Sequence, residues 1–494
     1  SCKTTGPPTR SPCSWAGHRC ISESGLKPVR PRLPNFPSCR GLSGASSQVS
    51  ASALGPSSDA LKIAAGLVGF LGFDAFVRWA IDVGGLHLLP SQICSMLSAF
   101  GGFSLAHALA PSAASQAHQA LMPAVGWVGR WLPVFLVPVQ VTLPTILFPG
   151  GAVEAAGLGL LLAGGWTAAV AGAARLVALL APQLPASEAA AAAKAGPRRL
   201  VPVCVAWLLL AAATSPFGVW PELWGGDEEQ SRQLRGAGLA ALGVGSFALA
   251  VHQGLPGHIC FLANGVATIC GAAAMAFARG ESYSQVVKRD YLVGAAGPPG
   301  TGDMLLWCLG PALVSTGVQM FQYRSRIAAL SRVLFLTCGA VSLCNVLGTV
   351  IAGPLLGVSP EVTLAATMRC VTIPMALPTY ARLCDASGAE NNVALVALCA
   401  GVSGFIGFGF SQRFLSSAIC GSTADPVARG IATGAAAHAL GAACLVATEP
   451  EAFVWGMLSM AVSGVASAAW ICACQPLREL LVSLAYRNAS GRDA

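Results

Sequence analysis

Long apolar runs separated by short polar segments dominate the chain from residue 60 onward. A run of about 20 apolar residues predicts a membrane-spanning helix, because a helix of that length crosses the hydrocarbon core of a bilayer. The pattern therefore predicts an all-α polytopic membrane protein with about 12 transmembrane helices, some of them discontinuous. The predicted spans are 60–80, 91–110, 130–149, 154–182, 200–216, 235–254, 257–278, 303–321, 329–352, 360–383, 392–416, 427–447 and 451–475.

The composition agrees with a membrane protein. Hydrophobic residues make up 54% of the 494 positions, charged residues only 10%, and the mean hydropathy is +0.65. Soluble domains carry about 25% charged residues, so most of this chain does not face water. The net charge of +8 is spread along the chain without a basic patch interleaved with aromatic residues, which argues against nucleic-acid binding.

The 18 cysteines predict neither a metal site nor a disulfide framework. Most are single and lie inside apolar runs, where a free cysteine behaves as a small hydrophobic residue. Cys472 and Cys474 form the closest pair, but they have no second pair or histidine nearby, and zinc needs more ligands than two. We therefore expect no metal and no cofactor.

Residues 1–58 differ from the rest of the chain. They contain many serines and prolines, seven Lys or Arg residues and a single acidic residue, Glu23. A basic, Ser-rich and acid-poor N-terminal segment is typical of an organelle transit peptide, and this composition buries too little apolar surface to fold alone. The alternative interpretation is a disordered cytosolic tail.

One predicted span, 360–383, contains an unusual group of residues. Arg369 lies inside it, and Pro374 and Pro378 follow. Each proline removes a backbone donor and kinks a helix, so nearby carbonyl groups become available to a polar ligand. Irregular backbone at membrane depth is tolerated where it lines a cavity or is covered by protein. The alternative is an ordinary kinked span whose Arg369 extends to the interface.

A second unusual stretch, 425–452, begins with Asp425 and Pro426, a favourable helix start. Its glycines permit either close packing or unwinding, and His438 lies in an otherwise apolar run. A lone histidine of this kind is more often packed and hydrogen-bonded than a ligand. Ionisable groups inside membranes are nevertheless candidate functional residues, and histidine suits proton coupling.

These two broken segments are candidates for one shared anion site. Transporters often direct the positive N-terminal ends of half-helices at an anionic substrate. Arg369, Arg429 and His438 together are therefore expected to hold a carboxylate. Asp74 and Arg78 lie four residues apart in the first span and are predicted to form a structural ion pair instead.

The motif DPVARGIATGAAAHALGAACLVATEPEA at 425–452 resembles the signature region of the LrgB/CidB family, and especially its plastidal glycolate/glycerate translocators. MRCVTIPMA at 368–376, GTGDMLLWCLGPA at 300–312 and VSGFIGFGF at 402–410 are similar to other segments of that family. In the first half, GRWLPVFLVPVQVTLP at 129–144 resembles part of the LrgA family. The resemblance implies an LrgA-like membrane domain over 59–182, connecting helices over 183–289 and an LrgB-like transport domain over 290–494.

The resemblance also implies a function. A protein of this kind is expected to be a carrier rather than an enzyme, an antiporter that exchanges glycolate and glycerate across the plastid (chloroplast) inner envelope in photorespiration. Residues matching family positions are Arg369, Thr372, Asp425, Arg429, His438, Gly441 and Glu451. We expect Arg369, Thr372, His438, Arg429 and Gly441 to bind the substrate. We expect His438, Asp425 and Glu451 to serve proton coupling or structure, and a homo-oligomer stays open.

Three other functions compete with this one. The first is a holin-like or pore-regulating membrane protein. The second is a carrier for pyruvate or another monocarboxylate. The third is an intramembrane aspartyl protease, because the GTGD motif ending at Asp303 and the PAL motif at 311–313 resemble motifs of those enzymes. That chemistry needs two carboxylates at close range, and the Tyr-Asp motif of those proteases is missing.

Overall fold

The computed structural model describes residues 56–85, 90–146, 148, 150–181, 205–212, 227–294, 297–420, 423–446 and 448–487. These residues are helical almost throughout and contain no β-strand. They lie within one compact unit, whose buried apolar residues form a core that runs from Phe70 to Ala485. The predicted transit segment is 1–58, and its residues 1–55 lie outside the described part of the chain.

In the described residues, the first half of the chain contains six long helices and three short ones. They are α1 (Pro56–Gly84), α2 (Ser91–Leu109), α3 (Pro111–Phe135), α4 (Val137–Thr142), α5 (Ala152–Leu180), α6 (205–212), α7 (Glu228–His252), α8 (Gly257–Arg279) and α9 (Tyr283–Val286). A π-helical turn, Val287–Tyr291, follows α9.

The second half continues with helices of very different length. They are α10 (Thr301–Trp307), α11 (Leu309–Met320), α12 (Arg324–Leu355), α13 (Pro360–Ala366), α14 (Ile373–Ser387), α15 (Val393–Leu415), α16 (Pro426–Ala442), α17 (Pro450–Cys472) and α18 (Gln475–Tyr486).

Eight helical ranges in the described residues are long and apolar enough to cross a membrane. They are Ala60–Gly84, Pro111–Thr145, Ala152–Leu180, Glu228–His252, Gly257–Arg279, Thr301–Leu355, Val393–Leu415 and Pro450–Cys472. The protein is therefore an all-helical polytopic membrane protein, as predicted. Eight is fewer than about 12 because the predicted spans 303–321 and 329–352 share one continuous range, 91–110 (α2) is not among the eight, and 200–216 is described only at 205–212. The predicted spans 360–383 and 427–447 are interrupted.

The first interruption separates α13 from α14 at residues 367–372. Pro374 occupies the first turn of α14, where its missing N–H has no helical partner in any case. In a continuous helix that N–H would bond to the carbonyl of residue 370, so the proline favours a new helix start here. The buried carbonyl of Thr367 accepts a hydrogen bond from Asn345 Nδ2 of α12 at 3.1 Å. We call residues 367–372 break 1.

The second interruption lies inside α16, at Ala437 and His438. His438 has φ 44° and ψ −152° and is the one non-glycine residue with positive φ in the described chain. The glycines of this segment do not form the break. Gly430 and Gly434 remain helical, and a Cβ atom at either would collide with a carbonyl oxygen of α17, Ala452 or Gly456. These glycines therefore serve close packing, while residues 437–438 form break 2.

Candidate anion-binding site

Arg369 lies in break 1 with only 3% of its surface exposed. Its Nη1 donates a hydrogen bond to Thr349 Oγ1 of α12, whereas its Nε has no partner among the described residues. In the described part of the chain Arg369 forms no ion pair with a carboxylate. A guanidinium has five donors and stays charged, and an uncompensated buried charge is costly. The site therefore suits an anionic partner.

A cavity of about 550 Å³ lies beside this guanidinium, between α5 and α12. This volume is within the range of small-molecule sites. Arg369 and Asn345 contribute polar groups, and small residues dominate the two walls. The wall from α5 includes Gly164, Gly165, Ala168, Gly172 and Arg175, and that from α12 includes Cys344, Asn345, Gly348 and Thr349.

Gly165 of α5 makes room for the arginine. A Cβ atom at residue 165 would lie 2.9 Å from Arg369 Nε and closer still to Cζ and Nη2. The Arg369 guanidinium therefore occupies the space that the side chain of any larger residue at position 165 would fill. Because Gly165 belongs to the first half of the chain and Arg369 to the second, both halves form this site.

A hydrogen-bond network holds break 1 in place. Asn345 donates to Thr367, and its Oδ1 accepts from Cys370 Sγ at 3.5 Å. Thr349 donates its hydroxyl to the Asn345 carbonyl at 2.6 Å and accepts from Arg369. Buried polar groups that satisfy one another in this way fix a single geometry. Asn345 and Thr349 therefore orient Arg369, and sequence reasoning missed both of them.

The two breaks touch. Cys370 Sγ of break 1 lies 3.1 Å from the carbonyl oxygen of Ala436, directly before break 2. The interrupted helices therefore meet at their irregular segments. Ala437 in turn packs against Gly407 of α15, where a Cβ atom would collide with the Ala437 methyl group.

His438 is buried at break 2, and backbone groups use both of its ring nitrogens. Nε2 lies 2.9 Å from the Ala400 carbonyl oxygen, and Nδ1 accepts from the Leu440 N–H at 3.4 Å. A carbonyl only accepts and an N–H only donates, so the ring is neutral with its proton on Nε2. This arrangement fixes the ring and the break.

Arg429, a predicted substrate ligand, has a carboxylate partner in the structure. Its Nε and Nη2 donate to Glu449 at 2.6 and 2.7 Å, and its Nη1 donates to Thr423 and Ser416. This bidentate pair lies seven residues, about 10 Å, along α16 from Ala436. Sequence reasoning missed this pairing, because Glu449 precedes α17 and lies 20 residues from Arg429.

Asp425 and Glu451, at the starts of α16 and α17, belong to one ionic cluster that is centred on Arg326. Asp425 caps α16 by accepting from the Val427 N–H at 2.9 Å, and it lies 3.6 Å from Arg326. Arg326 also pairs with Glu451. Carboxylates at helix N-termini complement the helix dipole. The cluster joins the starts of α12, α16 and α17.

The remaining predicted residues lie away from the cavity wall. Thr372 is half-buried at the start of α14 and makes no side-chain capping bond. Gly441 is buried, close to Ala437 and Gly407. Of the five predicted substrate ligands, Arg369 lines the cavity. The other four do not line it: Thr372, Arg429, His438 and Gly441.

Asp303 and Asp74 both have structural partners. Asp303 accepts backbone N–H groups of Val293 at 2.8 Å and Gly300 at 2.9 Å, which closes the loop before α10. Asp74 accepts from Arg78 and Ser95, each at 2.8 Å, as an ion pair four residues apart predicts. Neither carboxylate forms the closely spaced pair that aspartyl proteolysis needs.

These features define a class of protein: a polytopic helical membrane protein with two interrupted helices that meet beside a buried arginine. In its C-terminal half, residues 299–477 match the model of the LrgB-like family. The chain is 27% identical to the plastidal glycolate/glycerate translocator 1, chloroplastic, of Arabidopsis thaliana. The alignment extends over 431 residues and covers 86% of this chain and 80% of the relative. No solved structure matches the chain.

Proposed function

We propose that the protein is a carrier for small 2-hydroxy monocarboxylates, with glycolate and glycerate as its exchanged substrates. The observation that carries this proposal is the buried Arg369, which faces a cavity and has no carboxylate partner in the described chain. A carboxylate accepts two parallel N–H bonds from a guanidinium, so a monocarboxylate satisfies the free donors and the charge together.

The relative supports the choice of substrate. Its name assigns it glycolate and glycerate, and its likeness extends over 86% of this chain. The same name and the basic, acid-poor composition of residues 1–58 support a plastid location. We propose that the chain spans the inner envelope several times. Export of glycolate in exchange for glycerate is the role that photorespiration requires of such a carrier.

The two breaks support alternating access. Interrupted helices that meet near the middle of a membrane protein provide polar backbone for a substrate and hinges for its release. In this mechanism Arg369 binds the carboxylate, and Thr372, at the start of α14, approaches the substrate hydroxyl as the breaks move. His438 orients break 2. A proton-coupled cycle would have to disrupt its bonds to Ala400 or Leu440.

The test is uptake of labelled glycolate into proteoliposomes that contain glycerate, pyruvate or no internal solute. Saturable uptake stimulated by internal glycerate, and abolished in Arg369→Gln, is the expected result. The matched control is Arg382→Gln, because Arg382 is an exposed arginine on the neighbouring helix α14. Uptake that ignores the internal solute and does not saturate would indicate a pore. Uptake that is stimulated by internal pyruvate alone would support a carrier function but reject glycolate and glycerate as its exchanged substrates.

A further inference from the structure

Helix α5 lies outside the family-matched residues 299–477, yet it packs mainly against helices within them. Its principal partners are α12, α15 and α16. Two adjacent residues of α5 lie near the breaks. Gly165 touches Arg369 of break 1, and Trp166 Nε1 lies 3.3 Å from a Cβ atom placed at Gly407 of α15, the glycine against which Ala437 of break 2 packs. One helix of the first half therefore closes the candidate site.

The cavity extends along α5 well beyond Arg369. The lining positions recur every three or four residues from Leu160 to Leu179, so they form a single face of the helix. Gly165 marks the part of this face at the buried guanidinium. Arg175, ten residues and about 15 Å further along the axis, lines the same cavity.

Arg175 is exposed and incompletely bonded. Its Nη2 donates to the carbonyl oxygen of Ile419 at 3.0 Å, which fixes the direction of the side chain. It forms no ion pair with a carboxylate of the described chain. The cavity thus has a buried cation at one place and an accessible cation at another, with small residues such as Ala168 and Gly172 between them.

We propose that Arg175 is an outer binding position for the carboxylate anions that Arg369 binds, and that α5 carries the path between the two. This inference rests on the proposed function, because it assigns the same substrates. About 15 Å along the helix axis separates the two places, so a small carboxylate contacts one arginine at a time. An accessible cation at the mouth of a low-dielectric cleft raises the local anion concentration and the rate of binding.

The experiment measures initial glycolate uptake against glycolate concentration, at low and high ionic strength, in proteoliposomes. Arg175→Gln is expected to raise KM about fivefold with little change in the maximal rate, and to weaken the salt dependence of uptake. Arg175→Lys, which keeps the charge, is expected to restore most of the wild-type KM.

A second pair of variants tests the path without touching a charge. A Cβ atom at Gly172 or at Gly159 meets no other atom within 4 Å, but only Gly172 lines the cavity. Gly172→Leu is expected to obstruct the path and lower the uptake rate, whereas Gly159→Leu on the same helix is expected to resemble wild type.

Arg369→Gln, measured in parallel, separates the two proposals. Inactive Arg369→Gln together with wild-type kinetics in Arg175→Gln and Gly172→Leu would overturn the outer position and leave the carrier function intact. Wild-type kinetics in Arg369→Gln would overturn the proposed function itself. A lower maximal rate at unchanged KM in Arg175→Gln, not restored by Arg175→Lys, would mean that Arg175 only anchors Ile419.

Discussion

The guanidinium of Arg369 occupies the space beside Gly165 that a side chain at residue 165 would fill. The two residues lie in different halves of the chain, and their contact places the buried charge at the cavity between α5 and α12. The absence of a side chain at one position thus determines where the functional group of another position lies.

Substituting Gly165→Ala is expected to displace this guanidinium and weaken substrate binding. A hydrogen bond to a charged group contributes ~1.5–3 kcal/mol, so KM for glycolate should rise about tenfold or more. Gly159→Ala is the matched control, because a Cβ atom there meets open space on the same helix. An unchanged KM in Gly165→Ala would show that the position of the guanidinium does not matter for transport.

The Arg429–Glu449 pair is expected to hold the structure rather than the substrate. Both side chains are largely buried, with 9% and 26% exposure. Arg429→Gln and Glu449→Gln should each lower the free energy of unfolding by about 2 kcal/mol, because each leaves an unpaired charge. The double variant should lose less than the sum of the two, since the charges are removed together.

The readout for this pair is thermal unfolding in detergent combined with transport kinetics. KM for glycolate is expected to stay unchanged in all three variants. A raised KM in Arg429→Gln without a loss of thermal stability would instead place Arg429 at the substrate, the role that its position in the sequence motif suggests.

His438 provides a test based on backbone conformation. Its φ of 44° is strained for a residue with a side chain and is accessible to glycine. His438→Gly and His438→Ala both lose the bonds to Ala400 and Leu440, but the glycine variant should be more stable by ~1 kcal/mol. In regular helix the order is reversed, because alanine is favoured by a similar amount.

Ala439→Gly is the control for this comparison, since residue 439 has ordinary helical geometry beside the break. In that helical geometry, Ala439→Gly is expected to lower the stability of the protein. Should His438→Ala prove more stable than His438→Gly in thermal unfolding, residue 438 would have to be helical and break 2 would be absent.

The sequence was sufficient to predict the membrane class and the location of break 1. Apolar run lengths identify the spans, and Pro374 together with Arg369 marks the interruption, because both are costly inside a continuous membrane helix. The Asp74–Arg78 pair was also predictable, since a separation of four residues places two side chains on the same face of a helix.

The contacts around the site were not predictable in the same way. The approach of Gly165 to Arg369 and the pairing of Arg429 with Glu449 depend on tertiary packing between elements distant in sequence. For the glycines of 425–452 the sequence leaves close packing and unwinding both open, and in the structure Gly430 and Gly434 pack against α17. The unwound residue is His438, which ring hydrogen bonds to backbone groups hold in place.

The most direct test of the account is whether Arg369 recognises the carboxylate group. Binding of glycolate and of its neutral amide, glycolamide, should be compared in purified wild type, Arg369→Gln and the exposed control Arg382→Gln. Wild type and the control are expected to prefer glycolate strongly, and Arg369→Gln is expected to lose that preference, because only the anion pairs with the guanidinium. Undiminished preference for glycolate in Arg369→Gln would contradict the account and place the anion site elsewhere.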